Sequence, residues 1–179
     1  MMRKNIIWIV VVVGAALVQT TVLEYARLMG VLPDLAVLLV VYYALTGGIE
    51  RAMLTGAIAG LFLDVASNAV IGHHVLCLTI VGYIAGRIGT RLVTDIPAVK
   101  VGIVFLIGVL NGLLYVGVEY VQEPEFRAVY DIIALVVPTA FYSALVTPFL
   151  FFVLDRFEPS DKPKKRRPIR ADAQTRKTI

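Results

Sequence analysis

Charge is scarce in this chain and cysteine is nearly absent. Of its 179 residues only 17% are charged and 59% are hydrophobic, against roughly 45–50% apolar in an ordinary soluble domain. A soluble globule is therefore a poor description of the body. The single cysteine, Cys77, has no partner in the chain, which excludes a disulfide-stapled secreted scaffold. Basic residues are thin outside one stretch, since nine of the 17 Lys and Arg fall between Arg156 and Lys177. They lie in a tail and not on a folded surface, so no nucleic acid is expected as a partner. The short signatures of catalysis are missing too: there is no phosphate loop, no H-E-x-x-H and no G-x-S-x-G. His73 and His74 are adjacent and would point ~100° apart on a helix, with no Cys or Glu pair at ligand spacing, so neither metal nor cofactor is expected. Cys77, inside an apolar run, reads as a small packing residue.

What the chain has in quantity is long apolar runs. In a hydrocarbon core each must satisfy its own backbone, so each is read as a helix despite its Val and Ile content. The expected spans are about 6–23, 33–47, 52–67, 74–92, 99–118 and 132–154. The first follows Arg3 and Lys4 as a signal peptide would, but its length and the further spans indicate that it stays. The second opens at Pro33-Asp34, with a proline in the first turn and an acid beside the helix N-terminus. The sixth contains Pro138 and Pro148, which should bend it unless Thr139, Thr147 or neighbouring helices satisfy the freed carbonyls. The third span is the short one: Ala52–Ala66, at ~1.5 Å per residue, reaches only ~22 Å of the ~30 Å hydrocarbon thickness, as a re-entrant segment would. Charge decides for a full crossing. Six spans place 15 of the 17 basic residues on one side and only Arg27 and Arg127 on the other, which fits cytoplasmic termini. The expected fold is an all-α membrane protein, a six-helix bundle over residues 1–155, with a disordered basic tail at 156–179.

Asp64 is the informative polar residue, because an acid inside a span costs on the order of 2.5–3.5 kcal/mol and needs a partner or water. Gly56, Gly60 and Asp64 share one face of the third span, and Gly82/Gly86 and Gly108/Gly112 repeat the small-residue spacing that lets helices approach closely. Packing is the first reading of all six glycines. Gln19, Thr20, Glu24, Ser67, Asn68, His73, His74 and Glu119 fall at the same level as Asp64, and Asn111, Tyr115 and Glu119 form a stripe leading to it. The candidate pocket- or partner-forming residues are therefore Asp64, Ser67, His74, Asn111, Tyr115 and Glu119. Interfacial solvation is the plainer account of most of them. Asp64, His73 and His74 do not make up a nucleophile, a base and an orienting group, so no enzyme is expected. The tail is a topology anchor on anionic membrane lipids, and the acidic loop from Glu119 to Asp131 is open to an extracytoplasmic partner.

The ordered set Pro33-Asp-Leu, Gly60-Leu-Phe-Leu-Asp64-Val-Ala-Ser67, Gly72-His-His-Val-Leu76 and Gly82-Tyr-Ile-Ala-Gly86-Arg87 resembles the rod shape-determining MreD family. Asn68 stands where that family tends to have Gly, and His73 precedes the position that matches its histidine. The resemblance implies a non-enzymatic inner-membrane scaffold of the bacterial elongation machinery, with the single-helix protein MreC as partner and MreB, RodA and a class B penicillin-binding protein in the wider complex. In that reading the outer groove around Asp64 and Glu119, or the small-residue faces, would receive MreC or a second copy of the protein. The family is also similar to the six-helix substrate-binding components of energy-coupling-factor transporters, which supplies a rival function: the outer polar pocket would hold a vitamin.

Overall fold

The computed structural model describes residues 2–21, 31–67, 71–91, 96–122, 130 and 132–157. The described residues form six α-helices and no extended sheet. These are α1 (Met2–Thr21), α2 (Leu35–Thr46), α3 (Ile49–Ala66), α4 (His73–Arg91), α5 (Pro97–Gln122) and α6 (Val137–Phe157). A π-helical turn, Ile132–Val136, leads into α6. It sits where Pro138 would drive its ring into the carbonyl four residues earlier, and a wider turn removes that clash. Two helical stretches, Pro97–Val121 and Ala134–Arg156, are long and apolar enough to cross a membrane, while Asn5–Thr21 and Leu35–Thr46 are apolar but shorter.

The hydrogen bonds of the helix ends show that successive helices run in opposite directions. Gln19, Asp34, Asp64, His74, Asn111 and Ser143 meet at one end. At the other, Arg51 Nη2 donates to Asn5 Oδ1, Tyr42 Oη donates to Asp155 Oδ1, and Lys100 Nζ lies 5.8 Å from the centre of the Phe151 ring. Several helices extend past the apolar runs, α1 beginning at Met2 and α6 running to Phe157. α3 begins at Ile49 and takes Glu50 and Arg51 into its first turn, giving 18 residues, or ~27 Å. α5 runs on to Gln122. Charged residues at a helix end fold with it because the interface solvates them, and an apolar scan stops short of them.

At the centre is α2, every residue of which from Leu35 to Ala44 is buried. It has 12 residues, or ~18 Å, less than a bilayer's hydrocarbon. The other five helices, of 18 to 26 residues, surround it in the order α1, α3, α4, α5, α6, and α1 and α6 do not touch. The shortest helix is thus the one with no exposed apolar face. Trp8, Tyr43, Tyr42 and Phe151 form an edge-to-face chain across it, with ring centres 5.3–6.2 Å apart. Outside, Phe141, Leu145, Phe149 and Phe152 of α6, Leu106 and Leu113 of α5 and Ile6, Val10 and Leu17 of α1 are exposed, as a surface bathed in lipid requires.

α3 and α4 approach closest. A Cβ added at Gly60 or Gly82 would lie 2.6 Å from backbone atoms of Val75 or Ala52, and one at Gly86 2.6 Å from Ile49 Cα; at Gly56 it would overlap the Leu78 carbonyl. The four glycines form two facing ridges, so the two helices pack backbone against backbone. Gly108 and Gly112 of α5 receive Ala140 and Val136. Gly102 of α5, by contrast, faces open space. Gly82→Ala should therefore destabilise the protein by ~1–3 kcal/mol, the usual penalty of overpacking, whereas Gly102→Ala should leave it unchanged or slightly more stable. Thermal unfolding of both variants in detergent checks the contrast.

Candidate functional site

Asp64 ends α3 and faces the start of α4. Its carboxylate is buried, with 1% of the residue exposed, and both oxygens accept from the neighbouring helix. Oδ1 takes the His74 backbone N–H at 2.8 Å and the His74 Nδ1–H at 2.9 Å; Oδ2 takes the Gly72 N–H at 2.8 Å and the Val75 N–H at 3.3 Å. Helix starts carry N–H groups with no partner inside the helix, and a carboxylate beside them is favoured by the helix dipole. The intervening turn puts Gly72 at φ +103°, a conformation open to glycine and strained for other residues. Asp64 therefore caps a helix other than its own.

A second acid, Asp34, does equivalent work at α2 and was legible in sequence only as a helix start. Pro33 lies one residue outside the first turn, and Asp34 itself is the N-cap, with Oδ1 accepting from Val37 N–H at 3.1 Å. Gln19 of α1 donates Nε2 to Asp34 Oδ1 at 3.4 Å and accepts the Ala36 N–H on Oε1 at 2.9 Å. Asn111 of α5 donates Nδ2 to Asp34 Oδ2 at 3.4 Å, and the Asp34 N–H donates to Ser143 Oγ of α6 at 2.8 Å. One residue so joins four helices. Ser143 Oγ–H in turn donates to the Thr139 carbonyl at 2.8 Å.

α5 links the two acids: Asn111 bonds Asp34, and one turn further on Tyr115 meets the histidines beside Asp64. The Tyr115 ring stacks on His73 with centres 4.2 Å apart and lies 4.9 Å from His74, and its carbonyl accepts His73 Nε2–H at 3.1 Å. Of the residues singled out from the sequence, Asp64, His74, Asn111 and Tyr115 come together here. Ser67 and Glu119 are exposed and share none of these bonds: Ser67 closes α3 through its backbone, and Glu119 is one turn too far along α5. Asp34, His73 and Ser143 complete the layer. Glu24, Asn68 and the loop acids Glu123 and Glu125 lie outside the described residues. Cys77 is buried among packing residues. Among the described residues no three His, Cys, Asp or Glu converge as metal ligands.

Helices interlocked through glycine, an exterior of exposed large apolar side chains and interhelical hydrogen bonds gathered in one layer define a helical-bundle membrane protein. A family model described as rod shape-determining protein MreD matches residues 2–158, and the chain belongs to that family. It is a membrane protein that determines cell shape. No curated protein and no solved structure matches it, so the likeness to energy-coupling-factor components has no support from solved folds.

Asp64→Leu should leave the Gly72, His74 and Val75 N–H groups without acceptors, at ~1–3 kcal/mol for each buried donor. Hydrogen exchange should show those amides opening at least about tenfold faster than in the parent chain, with the amides of α6 unaffected.

Proposed function

We propose that this chain is a non-enzymatic scaffold of the rod-shape complex, spanning the inner membrane six times with both termini in the cytoplasm. Its partner in this reading is MreC, with other membrane proteins of the elongation machinery around them. The observation that carries the reading is that both acids of the polar layer have both oxygens committed to N–H donors from outside their own helices. Groups spent this way hold helices in register and present a fixed surface. The layer then faces the exterior half of the bilayer, and the basic ends, with the tail at 156–179 that lies outside the described residues, face the cytosol. The family and the sequence's charge segregation support this orientation.

Co-purification tests it. Tagged chain expressed with MreC should recover the partner, and Asp64→Leu should reduce that recovery at least about fivefold, as 1 kcal/mol or more of lost fit implies, while Gly102→Ala recovers it fully. Unchanged recovery and normal rod shape in Asp64→Leu would refute the role given to the polar layer. A stoichiometric vitamin found by native mass spectrometry would replace the scaffold with a solute-binding component. Labelling of a cysteine placed in the tail from outside intact cells would overturn the topology.

A further inference from the structure

Half of the Gly82–Arg87 motif is absorbed by packing, and half is not. Gly82 and Gly86 meet α3, whereas Tyr83 and Arg87, ~100° further round the helix, lie exposed on the adjoining face of α4. Arg87 bends back along its helix: Nε donates to Tyr83 Oη at 3.2 Å, and the guanidinium carbon lies 5.6 Å from the ring centre. The tyrosine thereby holds the guanidinium through Nε, and its two terminal nitrogens have no hydrogen-bond partner among the described residues. Among the described residues no carboxylate forms an ion pair with Arg87, with Arg91 one turn further on, or with Lys100 at the same end of the bundle. Along the same face of α4, Leu76, Ile80 and Tyr83 are 50%, 39% and 43% exposed, and they follow one another at helical spacing towards Arg87. An apolar strip roughly 16 Å long from residue 76 to 87 so ends in two guanidinium groups that pair with no carboxylate among the described residues.

We propose that this face of α4 binds one anionic phospholipid, its phosphate on Arg87 and Arg91 and an acyl chain along Leu76, Ile80 and Tyr83. A planar fork held in place suits a phosphate diester, which it meets through two parallel N–H bonds. The strip has the length of an acyl chain segment, and a membrane supplies that partner at saturating concentration. The site rests on the membrane location shared by the family and not on the scaffold reading, and it stands or falls independently of MreC recovery.

Native mass spectrometry of the full chain tests it, with phosphatidylglycerol and phosphatidylcholine of matched chains as probes. The parent should retain one phosphatidylglycerol in preference to phosphatidylcholine. Arg87→Gln combined with Arg91→Gln should lower that retention about tenfold or more, with unfolding temperature in phosphatidylcholine unchanged. Arg156→Gln, on α6, which does not touch α4, should retain the lipid like the parent. Equal retention by the double variant overturns the site. So does full displacement by millimolar inorganic phosphate, which would show a bare anion site.

Discussion

The structure depends on a carboxylate at the end of one helix answering the N–H groups at the start of the next. Without Asp64, α4 would open inside the low-dielectric layer with orphan donors, and the α3–α4 pair would lose the contact that sets its register. The penalty for placing an acid there is ~2.5–3.5 kcal/mol, and hydrogen bonds to a charged group contribute roughly 1.5–3 kcal/mol each. The four that Asp64 accepts are more than enough to hold it. Register fixed at that end lets Gly56, Gly60, Gly82 and Gly86 mesh along the rest of the two helices. Slipping by one residue would bring side chains where only glycine fits.

Asp34 extends the same logic to the centre of the bundle. A helix of 12 residues is a weak structural unit by itself, and α2 is stabilised by what encloses it. Its start is closed by groups from α1, α5 and α6. Further along, Trp8 donates its indole N–H to Thr55 Oγ1 at 3.0 Å, tying α1 to α3 beside the aromatic chain. Polar bonds and aromatic packing therefore act on the same helix from two levels.

Much of this was legible in the sequence. The apolar runs gave six helices because in a bilayer the apolar stretch and the helix nearly coincide, and the small-residue spacings marked the faces that touch. Asp64 was visible because an acid among apolar residues is costly wherever it points. Asp34 was not seen as a hub, since an acid before a helix has an ordinary reading as a cap, and its other partners lie 15, 77 and 109 residues away. Ser143 escaped for the same reason: a lone serine in a span carries no signal until the helix packed against it is known. Glu119, one turn beyond Tyr115 on the same stripe, is exposed and stands outside the bonds of the layer.

The bond from the Asp34 N–H to Ser143 bridges 109 residues. At the usual ~5–20 residues per second of synthesis, the start of α2 waits roughly 5–20 s on the ribosome before its acceptor exists. A nascent or prematurely terminated product lacking the last helix leaves the amide at the start of α2 without its side-chain acceptor. The polar layer around α2 is thus closed only when the last helix arrives, so completion of the chain and completion of the bundle are one event.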